Sequence, residues 1–162
     1  MSSGRKQGMF IILLTFIISL IITLIPLPDL ARPFRPPWYT LVLIYWAMAH
    51  PEKIGVGSAW MLGLIVDVMT ESLPGQHALT LSLVAYIVVK MHTQIRVFPL
   101  WQQSVAVLIL LFIEPLIATW AMGISRQPAP PLIYWATPII GMLLWPWIFI
   151  ILRNIRQKFQ VR

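Results

Sequence analysis

The sequence predicts an all-α integral membrane protein: a polytopic bundle of six transmembrane helices forming one domain over residues 1–162, with the N- and C-termini cytoplasmic. Three observations carry this expectation. Apolar residues make up 59% of the chain and charged residues 10%, whereas a soluble domain carries about 25% charge; there are too few charges to coat a globule in water. The apolar residues fall into runs divided by proline-rich breaks, and runs of about 20 suit a bilayer. The basic residues gather at alternate segment ends, the pattern that membrane orientation selects.

The spans are expected at roughly 9–25, 38–50, 54–70, 76–91, 102–124 and 132–152. Arg5 and Lys6 precede the first, which Pro26 and Pro28 stop; it reads as an uncleaved span, because no small-residue cleavage site follows its core. The linker to Pro37 carries Arg32, Arg35 and further prolines, which withhold amide donors and disfavour helix in the preceding residue. The second segment, from Trp38 to Ala49, is the weakest: about 12 residues reach only roughly 18 Å, short of a bilayer core. The third is followed by Pro74-Gly75, a turn signal, and the fourth ends near Lys90. The fifth holds Glu114-Pro115 at its middle, where proline frees a carbonyl and kinks a helix. The sixth contains Pro138 and Trp145-Pro146-Trp147 and runs into the basic tail Arg153, Arg156, Lys158 and Arg162.

Charge parity decides the second segment. If it crosses, the inner face holds nine basic residues (Arg5, Lys6, Lys53, Lys90, Arg96, Arg153, Arg156, Lys158, Arg162) and the outer face three (Arg32, Arg35, Arg126). If it does not, the split inverts, against the positive-inside rule. Six crossings are therefore expected. The same argument disposes of nucleic acid as the reason for a net charge of +7: the cations lie at span ends, and the tail is placed on anionic lipid, which attracts juxtamembrane basic clusters. The absence of cysteine excludes disulfides, thiolate metal sites and cysteine nucleophiles.

The candidate site residues lie on and around the third segment. Gly55, Ala59, Gly63, Asp67 and Glu71 recur every fourth residue, so on a helix they stack along one stripe. Small residues let two backbones approach in lipid, and a carboxylate there requires a partner or a cavity. Glu114 is expected near the bilayer centre and Asp67 nearer the outer end of its span. For this pair three readings stand: a proton or ion relay, a catalytic acid pair, and a structural role bonding across helices or to a carbonyl freed by Pro115 or Pro138. The structural reading leads, because no basic partner lies within a span. His50, His77 and His92 show no metal-ligand spacing, so no cofactor or metal is expected. Ser72, His77 and Asp67 could be drawn as a triad, but no nucleophile-elbow glycines surround Ser72. Trp38, Trp60, Trp101, Trp135, Trp145 and Trp147, with Trp46 and Trp120, are read as an aromatic belt at the span ends.

Residues Arg35-Pro36 through Tyr45-Trp46, Gly63-Leu64-Ile65-Val66-Asp67, Leu73-Pro74-Gly75, Ala85-Tyr86, Trp101-Gln102-Gln103, and Trp145-Pro146-Trp147-Ile148-Phe149 with its basic tail resemble, in order and spacing along nearly the whole chain, the proteobacterial branch of the rod shape-determining MreD family. Pro74 before the turn glycine, and Glu114 where aspartate is expected, are the departures. The resemblance implies a non-enzymatic inner-membrane scaffold of the rod complex, or elongasome. The implied partners are the bitopic protein MreC and, through the complex, MreB, RodA and the penicillin-binding transpeptidase. Gly75, Trp145, Pro146 and Trp147 join the stripe and Glu114 as assembly candidates on this basis. The resemblance also implies a fold similar to the substrate-binding subunits of vitamin transporters. That likeness keeps a small-solute or ion transporter subunit as the alternative. Asp67→Asn and Glu114→Gln are expected to abolish transport in the second case and to be tolerated in the first.

Overall fold

The computed structural model describes residues 2–159 and 161, with side chains from Gln7 onward. Arg162 and the side chains of Arg5 and Lys6, counted above toward the inner face, lie outside the described residues. The described chain is all-helical: α1 Ser2–Leu24, α2 Trp38–Ala49, α3 Val56–Met69, α4 Gln76–Val97, α5 Leu100–Leu111, α6 Ile113–Ile124 and α7 Thr137–Lys158, with 3-10 turns at Arg32–Phe34 and Leu132–Ala136. Four stretches, α1, α4, α5 with α6, and α7, are long and apolar enough to cross a membrane; α3 is a shorter apolar helix.

The chain shuttles between two ends. One end gathers the residues after α1, the 3-10 turns, the α3–α4 turn and the loop after α6 around one cavity. The other brings the end of α2 together with the end of α4 and the tail of α7. α5 and α6 behave as one helix broken at Phe112: the Leu111 carbonyl loses its helical partner, because Pro115 has no N–H to offer it. Pro138 has no such effect. It lies in the first turn of α7, where no intrahelical bond is lost.

The core explains why α2 is short. Every residue from Tyr39 to Ala49 is buried, and a helix that is apolar all round belongs in an interior. α2 packs on α1, α4 and α7, so it is the axis of the bundle rather than a lipid-facing span. Trp46, fully buried, donates its indole N–H to Thr15 Oγ1 at 2.9 Å. Trp145 is also fully buried and reaches Gln103 Oε1 at 3.4 Å. These two tryptophans are core anchors, which corrects their assignment to an aromatic belt: an indole N–H in the interior needs a partner, and each has one on a neighbouring helix. Trp60, Trp101, Trp120 and Trp147 are exposed, as are Leu13, Ile17 and Ile21 of α1, Ile109 of α5 and Leu143 of α7. This apolar exterior is the inverse of a water-facing surface and suits lipid.

α3 and α4 make the most extensive helix pair, and Gly63 is the reason. A methyl added there would collide with the Ala78 backbone and lie 2.6 Å from the His77 carbonyl carbon. Ala59, one turn earlier, is fully buried. Gly55 takes no part in this contact: a methyl there meets nothing within 4 Å. It instead starts α3, its N–H donating to Ser58 Oγ at 3.0 Å. Glu71 has left the helix with φ 51°, so the stripe of close packing is Ala59, Gly63 and Asp67, shorter than periodicity suggested. At Gly141 of α7 a methyl would meet the end of the Leu111 side chain of α5 rather than backbone.

Candidate functional site

Helix α4 begins without a side-chain cap of its own; its N-cap is Gly75, at φ 92°, a backbone state in which glycine avoids the strain of a Cβ. The first amides of a helix have no intrahelical acceptor. Asp67, in the last turn of α3, supplies one. Its Oδ2 accepts from the Gly75 N–H at 2.9 Å, and its Oδ1 from the His77 N–H at 2.8 Å. The Ser72 hydroxyl donates to Oδ1 at 2.8 Å, and His77 Nδ1 lies 2.9 Å from the same oxygen. The carboxylate therefore caps a neighbouring helix, where the dipole favours negative charge. The Gly63 contact brings α3 close enough for this to happen, so the small residues and the acid form one device.

His77 continues the network. Its Nε2 faces Glu114 Oε1 of α6 at 3.7 Å, and its ring stands edge-on to Tyr39 with centroids 6.0 Å apart. The Tyr39 hydroxyl donates to Glu114 Oε1 at 2.9 Å, and the Thr40 hydroxyl reaches Oε2 at 3.4 Å. Asp67, His77 and Glu114 are all less than a tenth exposed. A polar chain thus runs from α3 through α4 and α6 to α2. Satisfied networks of this kind fix one arrangement of a core, and half-satisfied ones are costly.

Several expectations change here. Glu114 is not remote from Asp67: His77 lies between them. Neither carboxyl group bonds to a carbonyl freed by proline. His77 is a buried connector between the two acids. The Ser72–His77–Asp67 trio is in contact, with Ser72 Oγ 3.1 Å from His77, yet it lacks triad geometry. Ser72 and Asp67 approach the same nitrogen, Nδ1, whereas a nucleophile must face the nitrogen opposite the acid. Sequence reasoning missed Tyr39 and Thr40, and weighed Ser72 and His77 only as members of a triad, not as the groups that hold Asp67. The one available signal was the uncapped start of α4, whose orphan amides demanded an acceptor; the Tyr39 bond and the His77 contact to Glu114 cross long stretches of chain and leave no local trace.

Above the network opens a cavity of about 460 Å³, lined by Arg32, Arg35, Gln76, His77, Glu114 and Tyr134 among others. Arg35 reaches across its rim to the Ile25 carbonyl at 2.7 Å. Among the assembly candidates, the cavity and network gather Asp67, Gly75 and Glu114. Trp145 and Pro146 stand away from them in α7, and Trp147 faces outward. Among the described residues no cluster of histidine, cysteine or carboxylate side chains could hold a metal ion.

A bundle with an apolar exterior, and four helical stretches long and apolar enough to cross a membrane, defines a helical membrane protein. The family model of the rod shape-determining protein MreD matches residues 4–155, and the chain belongs to that family. It is 36% identical over 156 residues to a rod shape-determining protein MreD from Haemophilus influenzae, covering 94% of each chain. No solved structure matches it. Rod-shape determination by a membrane protein is thus the role of the family, and the sequence resemblance to its proteobacterial branch holds.

Proposed function

We propose that the protein is a non-enzymatic scaffold of the rod complex in the bacterial inner membrane, coupling cytoskeletal and peptidoglycan-synthesis components so that the cell elongates as a rod. One observation carries this reading: the two buried acids of the network are committed to groups on neighbouring helices. Asp67 is occupied by the α4 amides, and Glu114 by Tyr39 and Thr40, so the network stiffens the bundle. The broad apolar flanks then remain for partner helices, which associate in lipid through shape and small residues rather than hydrophobicity. The partners are MreC directly, and MreB, RodA and the penicillin-binding transpeptidase through the complex, with anionic lipid at the tail.

The reading has six crossings with both termini cytoplasmic. The gathering of Lys53, Arg96, Arg153, Arg156 and Lys158 toward one end of the bundle supports it. A reporter fused after Lys53 is expected to read cytoplasmic; a periplasmic signal removes the six-crossing arrangement. Depletion of the protein is expected to round rod-shaped cells, and MreC to co-purify with it in mild detergent. Normal rods after depletion, with no MreC recovered, would overturn the scaffold.

A second reading, a small-solute or ion transporter subunit, has the 460 Å³ cavity beside His77 and Glu114 in its favour. Solute uptake that depends on Glu114 while MreC binding is intact would select it.

A further inference from the structure

The end of the bundle opposite the acid network holds a second cavity, of about 290 Å³, between the ends of α2 and α4, the start of α5 and the tail of α7. Arg96, Arg153 and Arg156 line it, and no aspartate or glutamate does. Arg153 and Arg156 are three apart on α7 and share a face. Neither forms an ion pair with a described residue, while Arg96 gives one N–H to the Ala49 carbonyl at 3.3 Å. Glu52, the acid at this end, is engaged by His50 Nδ1 at 3.0 Å.

The independent observation is Tyr45. It is 1% exposed and lines this cavity, yet its hydroxyl has no hydrogen-bond partner among the described residues. The ring cannot swing away, because Trp46 and Phe149 hold it edge-on at centroid distances of 5.2 and 5.6 Å. The three arginines line the same cavity as that hydroxyl. A buried donor without a partner is rare in native proteins and points to a missing group. A water would pair the hydroxyl but leave the three cations without a counter-charge. Three converging cations repel one another until an anion joins them.

We propose that this cavity binds a phosphate-bearing anion: guanidinium forks from Arg96, Arg153 and Arg156 grip its oxygens, and the Tyr45 hydroxyl donates to one of them. Planar forks match phosphate oxygens in pairs. The occupant is the headgroup phosphate of an anionic membrane lipid, because the cavity lies at a bundle end, where headgroups lie, and basic pockets between membrane helices suit them. This differs from diffuse attraction of the tail to a charged surface. Lys158 belongs to the tail but not to the cavity, so it serves as a control.

The test is native mass spectrometry of the full chain in mild detergent, after delipidation, with phosphatidylglycerol, phosphatidylcholine and inorganic phosphate as probes. Phosphatidylglycerol is expected to be retained in preference to phosphatidylcholine. Arg153→Gln is expected to weaken that retention about tenfold, the usual worth of one charge-assisted contact. Tyr45→Phe weakens it severalfold and leaves the delipidated protein at least as heat-stable, having removed an unpaired hydroxyl. Lys158→Gln, with the same loss of charge, leaves retention unchanged. Excess inorganic phosphate that fails to displace the lipid supports a headgroup; displacement overturns that source in favour of a soluble phosphate. Equal losses in Arg153→Gln and Lys158→Gln, or no preference between the two lipids, overturn the site.

Discussion

Asp67→Asn is expected to destabilise the protein by about 3 kcal/mol, whereas Glu114→Gln, chemically the same change, costs about 1 kcal/mol or less. The difference lies in the partners. Both oxygens of Asp67 accept from fixed backbone amides, Gly75 on one side and His77 on the other. An asparagine must present its NH2 to one of them, leaving a buried amide unpaired against another donor. Glu114 accepts from two hydroxyl groups, of Tyr39 and Thr40. A glutamine oxygen still accepts from Tyr39, and the Thr40 hydroxyl rotates to accept from the new NH2. Thermal unfolding in detergent, followed by tryptophan fluorescence, should show a fall of about 10 °C for Asp67→Asn and little change for Glu114→Gln. Equal falls would mean that the His77–Glu114 contact, not the hydroxyl bonding, dominates at Glu114. The expectation that a scaffold tolerates both neutral substitutions is thereby narrowed: only Glu114→Gln tests transport without disturbing the fold.

Gly63→Ala is the second large effect. One methyl at this position runs into the Ala78 backbone, which cannot rotate aside as a side chain can. The helices must part, at a cost of about 2–3 kcal/mol for overpacking. The loss goes further than packing, because Asp67 lies one turn along the same face and would withdraw from the α4 amides. Gly123→Ala makes the same chemical change in α6, where a methyl meets nothing within 4 Å. That control should be neutral or slightly stabilising, since alanine is the better helix former. If both variants unfold alike, close approach at Gly63 is not what holds α3 on α4. If Gly63→Ala weakens MreC co-purification while Gly123→Ala does not, the rigidity of this end also matters for assembly.

The sequence alone determined the class of the protein. With so few charges and so much apolar surface, water could not be the solvent for most of the chain, and prolines and charges marked where helices end. It also placed the small residues and Asp67 on one face, because a four-residue spacing is local and survives whatever the helix packs against. Tertiary structure decided the rest. It made α2 the buried axis, since burial depends on which helices surround a segment, and twelve apolar residues read the same at a surface or a centre. It moved Trp46 and Trp145 from the membrane boundary into the core, because only a neighbouring Thr15 or Gln103 can satisfy an interior indole. Above all it joined Asp67 to Glu114 through His77. The spacing of 47 residues between the two acids carries no geometry of its own; only when Gly63 admits the α4 backbone, and the break at Phe112 sets α6 beside it, do they become one buried network.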